Sequence, residues 1–188
     1  MADAQAPIAD GAVRLRPATN AHLSFVLATE TDARRAGFIG GWTETEHRTA
    51  LDDDDVAHCI IETEGDGETI GYLILRGLRD TNGSIELKRL ALAAHARDRG
   101  YGRRVLALVL RYAFDQLSAH RLWLDVLAHN TRARHLYTSS GFVEEGVLRE
   151  CFRTESAPGG YASLVVMSIL EPEYRAAVRE PAAGQTKR

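Results

Sequence analysis

The stretch that most narrows what this chain can fold into is residues 97–102, Arg-Asp-Arg-Gly-Tyr-Gly, because of what flanks it. Ahead of it lies an apolar run over residues 84–92, Ser-Ile-Glu-Leu-Lys-Arg-Leu-Ala-Leu, which suits a strand. Behind it, Leu106, Val109, Leu110, Ala113 and Leu117 recur at helical spacing, so an amphipathic helix should follow. Strand, glycine loop and helix in that order make a site for a diphosphate. Gly100 and Gly102 let the backbone take positive φ and approach a ligand closely. The unpaired N–H groups of the helix start attract anions, and Arg97, Arg99, Arg103 and Arg104 add charge. Taken alone, Gly-x-Gly is also an ordinary tight turn. Two nucleotide-binding alternatives fail on particular residues: Val105 stands where a dinucleotide fingerprint needs its third glycine, and the Gly-Lys-Ser/Thr of a P-loop is absent.

The remaining segments alternate between strand-like and helix-like patterns. Residues 13–17 alternate apolar and basic side chains and stop at Pro17, and residues 20–29 look helical. Thr43-Glu44-Thr45-Glu46 has the form of a capping box, which places a helix start near Thr43 with Trp42 at its mouth. Residues 58–62 and 69–75 read as an antiparallel hairpin closed by Glu64-Gly65-Asp66-Gly67. Residues 120–126 read as a strand that follows the one at 84–92 through a helical crossover, so the two should be parallel. A single α/β domain over residues 12–170 accommodates all of this. Residues 1–11 and 171–188, rich in Ala, Pro and polar side chains, are expected to be flexible ends.

Composition removes several function classes. With 188 residues, 45% hydrophobic and 26% charged, the chain has the profile of an ordinary globular domain. A formal charge of -3 argues against nucleic acid as the main partner, since neutralising phosphates takes a strongly basic face. No apolar run approaches the roughly 20 residues of a membrane helix, and the first residues lack the basic and apolar regions of a secretory signal, so the reading is cytoplasmic, with no membrane partner. Cys59 and Cys151 are too few for a disulfide framework and have no metal-ligand spacing; both read as small buried hydrophobes, and no metal is expected. A homodimer is compatible with the sequence, which fixes no oligomeric state.

A second motif follows the strand at 120–126. Asn130 fits a helix N-cap and Gly141 the stop of the same helix, with Asn130, Ala133, Leu136, Tyr137 and Ser140 on neighbouring turns. Arg97-Asp98-Arg99-Gly100-Tyr101-Gly102 matches the pattern Arg/Gln-x-x-Gly-x-Gly/Ala, and Asn130, Ala133, Leu136, Tyr137, Gly141 and Phe142 match Asn-x-x-Ala-x-x-Leu-Tyr-x-x-x-Gly-Phe. In these two motifs the chain resembles the GNAT superfamily of N-acetyltransferases. The run Phe142-Val143-Glu144-Glu145-Gly146-Val147-Leu148-Arg149, with Gly160, Tyr161 and Met167, is similar to the branch holding ribosomal-protein alanine acetyltransferases and spermidine acetyltransferases. Ser163 stands where that branch often has an aspartate.

The resemblance implies a mixed central sheet flanked by helices, with a splayed parallel strand pair holding acetyl-CoA as co-substrate. It implies that Arg97, Asp98, Arg99, Gly100, Tyr101, Gly102 and Arg103 take the pyrophosphate, and that the strand at Leu90 and Leu92 pairs its backbone with the pantetheine arm. Asn130 and Ala133 would contact the same arm, Asn130 also serving as a plain helix cap. Acetyl transfer needs a neutral amine, a polarised thioester and a proton for the departing thiolate. By resemblance Tyr137 gives that proton and Glu86 takes the amine proton through water, with His129 and His135 as rivals; pairing with Lys88 or Arg89 is an equal alternative for Glu86. Trp42, Glu44, Glu46 and Asp52-Asp53-Asp54-Asp55 lie where the superfamily usually recognises its acceptor, although four adjacent aspartates also suit a solvated loop. The activity implied is transfer of acetyl to a primary amine, on a small molecule or a protein N-terminus. The alternative is a non-catalytic acyl-CoA-binding sensor or interaction domain.

Overall fold

The computed structural model describes residues 8–35, 37, 41–154 and 157–179. Eight strands form one sheet in the order β1-β2-β3-β4-β5-β6-β8-β7. They are β1 (Ile8–Ala9), β2 (Val13–Pro17), β3 (Val56–Thr63), β4 (Thr69–Arg76), β5 (Ser84–Leu92), β6 (Arg121–Leu127), β7 (Val143–Arg153) and β8 (Tyr161–Leu170). Neighbours run antiparallel except β5 and β6, which are parallel, as the helical crossover between them requires. The helices are α1 (Leu23–Arg35), α2 (Glu44–Leu51), α3 (Tyr101–Arg111), α4 (Thr131–Thr138) and α5 (Glu171–Arg179).

Two apolar layers hold the sheet. Val105, Leu106 and Val109 of α3 bury against Ile85, Leu87, Leu122 and Leu124, and the inner side of α4 packs on the same layer through Leu136 and Tyr137. The opposite face carries a smaller core in which Val26 of α1 meets Ile60, Tyr72, Ile74 and Ala91. Covered on both faces, β3 and β4 are buried nearly end to end, and their sequences read as near-continuous apolar runs. Helix α3 runs on into a π-helical turn, Tyr112–Gln116, where the Leu117 N–H reaches back to the Tyr112 carbonyl at 3.0 Å.

Several expectations change on contact with the fold. Helix α1 runs to Arg35 rather than ending near Thr29, because its buried stripe of Val26, Thr29, Glu30 and Ala33 includes polar side chains that blunt the apolar periodicity. Ile8 is buried and pairs with Leu15, so the expected flexible start already contributes a strand. The first nine residues of the segment expected to be a flexible tail, 171–188, form α5 over Glu171–Arg179, and 180–188 lie outside the described residues. Tyr174 is buried there, stacked at 4.9 Å on Phe114, with its hydroxyl donating to Asp115 at 3.0 Å. Cys59 is buried, and burial pushes its thiol up to about 12, whereas Cys151 is exposed.

Strand β5 contains a bulge. Ile74 of β4 faces Arg89 while the next residue, Leu75, faces Leu87, so Lys88 is the extra residue. Strict alternation would put Glu86 on one face with Leu90 and Leu92. The bulge breaks that alternation: Ile85 and Leu87 before it and Leu90 and Leu92 after it all pack toward α3. Glu86 is left on the α1/α2 face.

Candidate active site

The parallel pairing of β5 and β6 lasts for three residue pairs only, Ser84 with Arg121, Ile85 with Leu122 and Glu86 with Trp123. Beyond Glu86 the strands part. Among the described residues, the edge of β5 over residues 87–92 has no strand partner on the β6 side; the Lys88 and Leu92 carbonyls accept from Arg89 and Arg97, and the remaining backbone groups of that edge can take an extended ligand. A cleft of about 590 Å³ opens in the fork. Leu90 and Leu92 line it from β5, Asp125 and Leu127 from β6.

The glycine loop sits at the mouth of this cleft. After a 3-10 turn at Ala94–Ala96 the chain takes positive φ at Asp98 (62°) and Gly100 (80°), and Gly100 becomes the N-cap of α3 with no side-chain cap. The first-turn amides of α3 therefore carry no internal acceptor, and the positive helix end adds to them. A Cβ built on Gly100 meets nothing within 4 Å, so the space above the loop is open. Arg97, Asp98, Gly100, Gly102 and Arg103 line the cleft; Arg99 and Tyr101 stand outside its lining, and Tyr101 packs against the α3-side core. Arg97 braces the loop: Nε donates to the Leu92 carbonyl at 3.0 Å and Nη2 to Asp32 of α1 at 2.5 Å. Arg132 of α4 reaches Asp98 at 2.6 Å, across the mouth. Open space over the loop, an unpaired strand edge and a cationic rim fit acetyl-CoA.

Helix α4 closes the other wall. Asn130 caps it, its side chain accepting from the Ala133 N–H at 3.1 Å, and both residues line the cleft with Tyr137. Tyr137 packs its ring 5.6 Å from Phe142. Burial, with a smaller part from the charge of Asp125, pushes the Tyr137 hydroxyl up to about 12, so it keeps its proton throughout the neutral range. Glu86 lies at the point of the fork, outside the cleft lining, and accepts from Lys88 Nζ at 3.0 Å. His135 lines the cleft, while His129 contacts the Gly37 carbonyl at 3.0 Å.

Most of the acidic residues expected to meet the acceptor are engaged locally. Glu44 pairs with Arg48 at 2.6 Å, and Glu46 completes the capping box with Thr43. Asp53 accepts the Asp55 N–H at 2.9 Å, and Asp54 and Asp55 bind Arg79, so this run closes the turn before β3 and does not line the cleft. The Ser163 hydroxyl accepts the Glu150 N–H at 3.0 Å, supporting a β7 irregularity in which Glu150 has φ 47°.

Sequence reasoning missed two features. One is Asp125, which the alternation of buried Leu122, Leu124 and Val126 turns to the Glu86 face of β6. The other is a buried polar cluster between α1, α2 and the sheet. Glu30, 2% exposed, accepts from the Tyr72 hydroxyl at 2.5 Å and from the Trp42 N–H, and contacts His47 Nε2 at 3.1 Å. His47 Nδ1 in turn meets His58 Nε2 at 3.1 Å. Burial works to raise Glu30, but the bonds from His47, Tyr72 and Trp42 outweigh it and hold the carboxyl below its usual value. Glu30 and His47 have polar and charged sequence neighbours, while His58 and Tyr72 sit inside apolar strands, so no local pattern in the sequence signals the cluster.

This cluster makes stability depend on acid. Burial first, then the charge of His47, lowers His58 from 6.5 to about 4. The unfolded chain therefore takes up that proton before the folded one does, and the contribution is complete above pH 6.5 and lost as pH falls toward 4. About 2 kcal/mol should be gone by pH 5. Urea melts between pH 7.5 and 4.5 should show this slope in the parent and a flatter one in His58→Gln; parallel slopes would remove His58 as its source.

A parallel strand pair that forks beside a glycine loop at a helix start is the frame that the sequence resemblance implied for an acyltransferase drawing its acyl group from coenzyme A. The chain belongs to the acetyltransferase (GNAT) family, whose model matches residues 27–142, and it is an acetyl-CoA-dependent N-acetyltransferase. It is similar to spermidine N(1)-acetyltransferase of Vibrio cholerae serotype O1, 30% identical over 121 residues that cover 64% of this chain and 68% of the relative. The spermidine N(1)-acetyltransferase of Escherichia coli strain K12 is 26% identical over 182 residues, 93% of each chain. A crystal structure of spermidine N-acetyltransferase from Vibrio cholerae in complex with CoA and spermine matches with a TM-score of 0.76 at 25% identity, over 88% of this chain and 99% of that one. No helix among the described residues is long and apolar enough to cross a membrane.

Proposed function

We propose that the enzyme acetylates a primary amine that enters from the α1/α2 side of the fork, with Tyr137 holding a proton for the sulfur and Glu86 receiving the amine proton through water. The observation that carries this reading is the fork itself, with the phosphate loop on the α3 side and the carboxylates of Glu86 and Asp125 on the other. Acetyl-CoA supplies the activated thioester. The amine nitrogen forms the new C–N bond as the C–S bond breaks; one proton leaves nitrogen and one reaches sulfur. Asp125 is a second candidate for the base, favoured by its place in the cleft lining. The names of the relatives make spermidine the first acceptor to try.

Free-thiol release from acetyl-CoA with a panel of amines tests the reading. Turnover with an amine is expected; tight acetyl-CoA binding with no turnover on any amine would favour a binding module. On the best acceptor, Glu86→Gln should lower kcat about tenfold or more and shift the acid limb of the pH profile, at the lower end of what a positioned base contributes. If Glu86→Gln leaves both unchanged while Asp125→Asn changes them, the base is Asp125.

A further inference from the structure

The bulge at Lys88 has a second effect: it turns Arg89 inward. Its side chain is only 10% exposed, yet it lines the cleft, stacked with its guanidinium carbon 5.6 Å from the centre of the Trp42 ring. Nη1 donates to the Lys88 carbonyl at 2.9 Å, and Nε is buried with no hydrogen-bond partner among the described residues. The nearest anion, Glu30, stands 4.0 Å from Nε, and its oxygens are already engaged by Trp42, His47 and Tyr72. A buried donor without an acceptor is costly and rare in folded proteins. The neighbouring ammonium of Lys88 differs, since Glu86 satisfies it.

Charge in the cleft points the same way. Among the described residues that line it, five are lysine or arginine and two are aspartate. Arg97, Arg103 and Arg132 stand at the mouth beside the glycine loop, whereas Arg89 is on the α1/α2 face beside Trp42 and Glu30, the side from which the proposed reading brings the amine. A polyamine would bring further positive charge against this guanidinium. An amine that carries a carboxylate would instead offer oxygens that its planar donor fork fits.

The geometry points to Arg89 as the specificity-determining residue of this enzyme, reading a carboxylate close to the acceptor amine, so that the acceptor class is a small amino acid. The inference rests on the acetyl-transfer reading above. Glu30, His47 and Tyr72 are positioning residues that hold Trp42 and the surroundings of Arg89 in place.

The test is an acceptor series on the parent enzyme: alanine, methionine and phenylalanine, each beside its amide and its decarboxylated amine, together with spermidine. The amide has the more acidic ammonium and so the larger neutral fraction at pH 7.5, which means that a preference for the acid cannot come from basicity. For at least one amino acid, kcat/KM should exceed that of its amide and of spermidine at least tenfold. Acid-to-amide ratios near or below one throughout, or spermidine as the best acceptor, overturn the proposal while leaving acetyl transfer standing; no thiol release with any amine overturns both. In the variants, Arg89→Gln should raise KM for the acid at least tenfold and bring the acid-to-amide ratio to about one, with Arg89→Lys restoring part of the preference. A general loss of packing would lower the rates on acid and amide together, and an unchanged ratio in Arg89→Gln would count against the proposal.

Discussion

Gly100→Val is expected to weaken acetyl-CoA binding at least a hundredfold while the protein stays folded. Gly100 holds φ 80°, which a β-branched residue adopts only with strain, and it caps α3 at the first-turn amides that the proposed reading assigns to the diphosphate. A Cβ there meets none of the described residues within 4 Å, so the substitution is strained by its backbone φ and not by a contact of the Cβ. The loop then has two options. It keeps its conformation and places the side chain where phosphate belongs, or it relaxes to negative φ and turns the first-turn amides away. Both remove the site, and a hundredfold loss corresponds to about 2.7 kcal/mol. Calorimetry with acetyl-CoA decides: binding within threefold of the parent would mean that the diphosphate lies elsewhere. Gly100→Ala should fall between the two.

Tyr137→Phe is expected to lower kcat about a hundredfold and to leave acetyl-CoA affinity nearly unchanged. The ring keeps its contact with Phe142, and only the hydroxyl is lost. In the proposed reaction that hydroxyl acts as sulfur gains charge, so the expected loss falls on the transition state rather than on binding. Burial pushes that hydroxyl up to about 12, so it gives up its proton reluctantly. A donor that reluctant serves a thiolate of pKa about 8.5 chiefly by hydrogen bonding, which places the effect at the low end of acid catalysis. A measured kcat equal to the parent's, with chemistry rate-limiting, would reduce Tyr137 to packing and leave water as the donor.

Local chemistry made much of this protein legible. The capping box at Thr43, the hairpin over β3 and β4, the N-cap at Asn130 and the stop at Gly141, whose φ is 95°, depend on residues within a few positions of one another. The glycine loop is equally local, because a positive φ and a helix start are properties of adjacent residues. The parallel relation of β5 and β6 follows from the length of the crossover between them.

Tertiary structure decided what depends on register and on distant partners. The bulge at Lys88 cannot be read from β5 alone, since it exists only in the offset against β4, and it moved Glu86 to the face opposite Leu90 and Leu92. Helix α5 looked like a tail because its burial rests on Tyr174 alone, packed on a π-helical turn about sixty residues upstream. Glu30, His47, His58 and Tyr72 come from four separate elements. Their hydrogen bonds form only where α1 and α2 close over the sheet, because a buried polar side chain is set by the partners that satisfy it, and those partners are chosen by the fold and not by the neighbouring sequence.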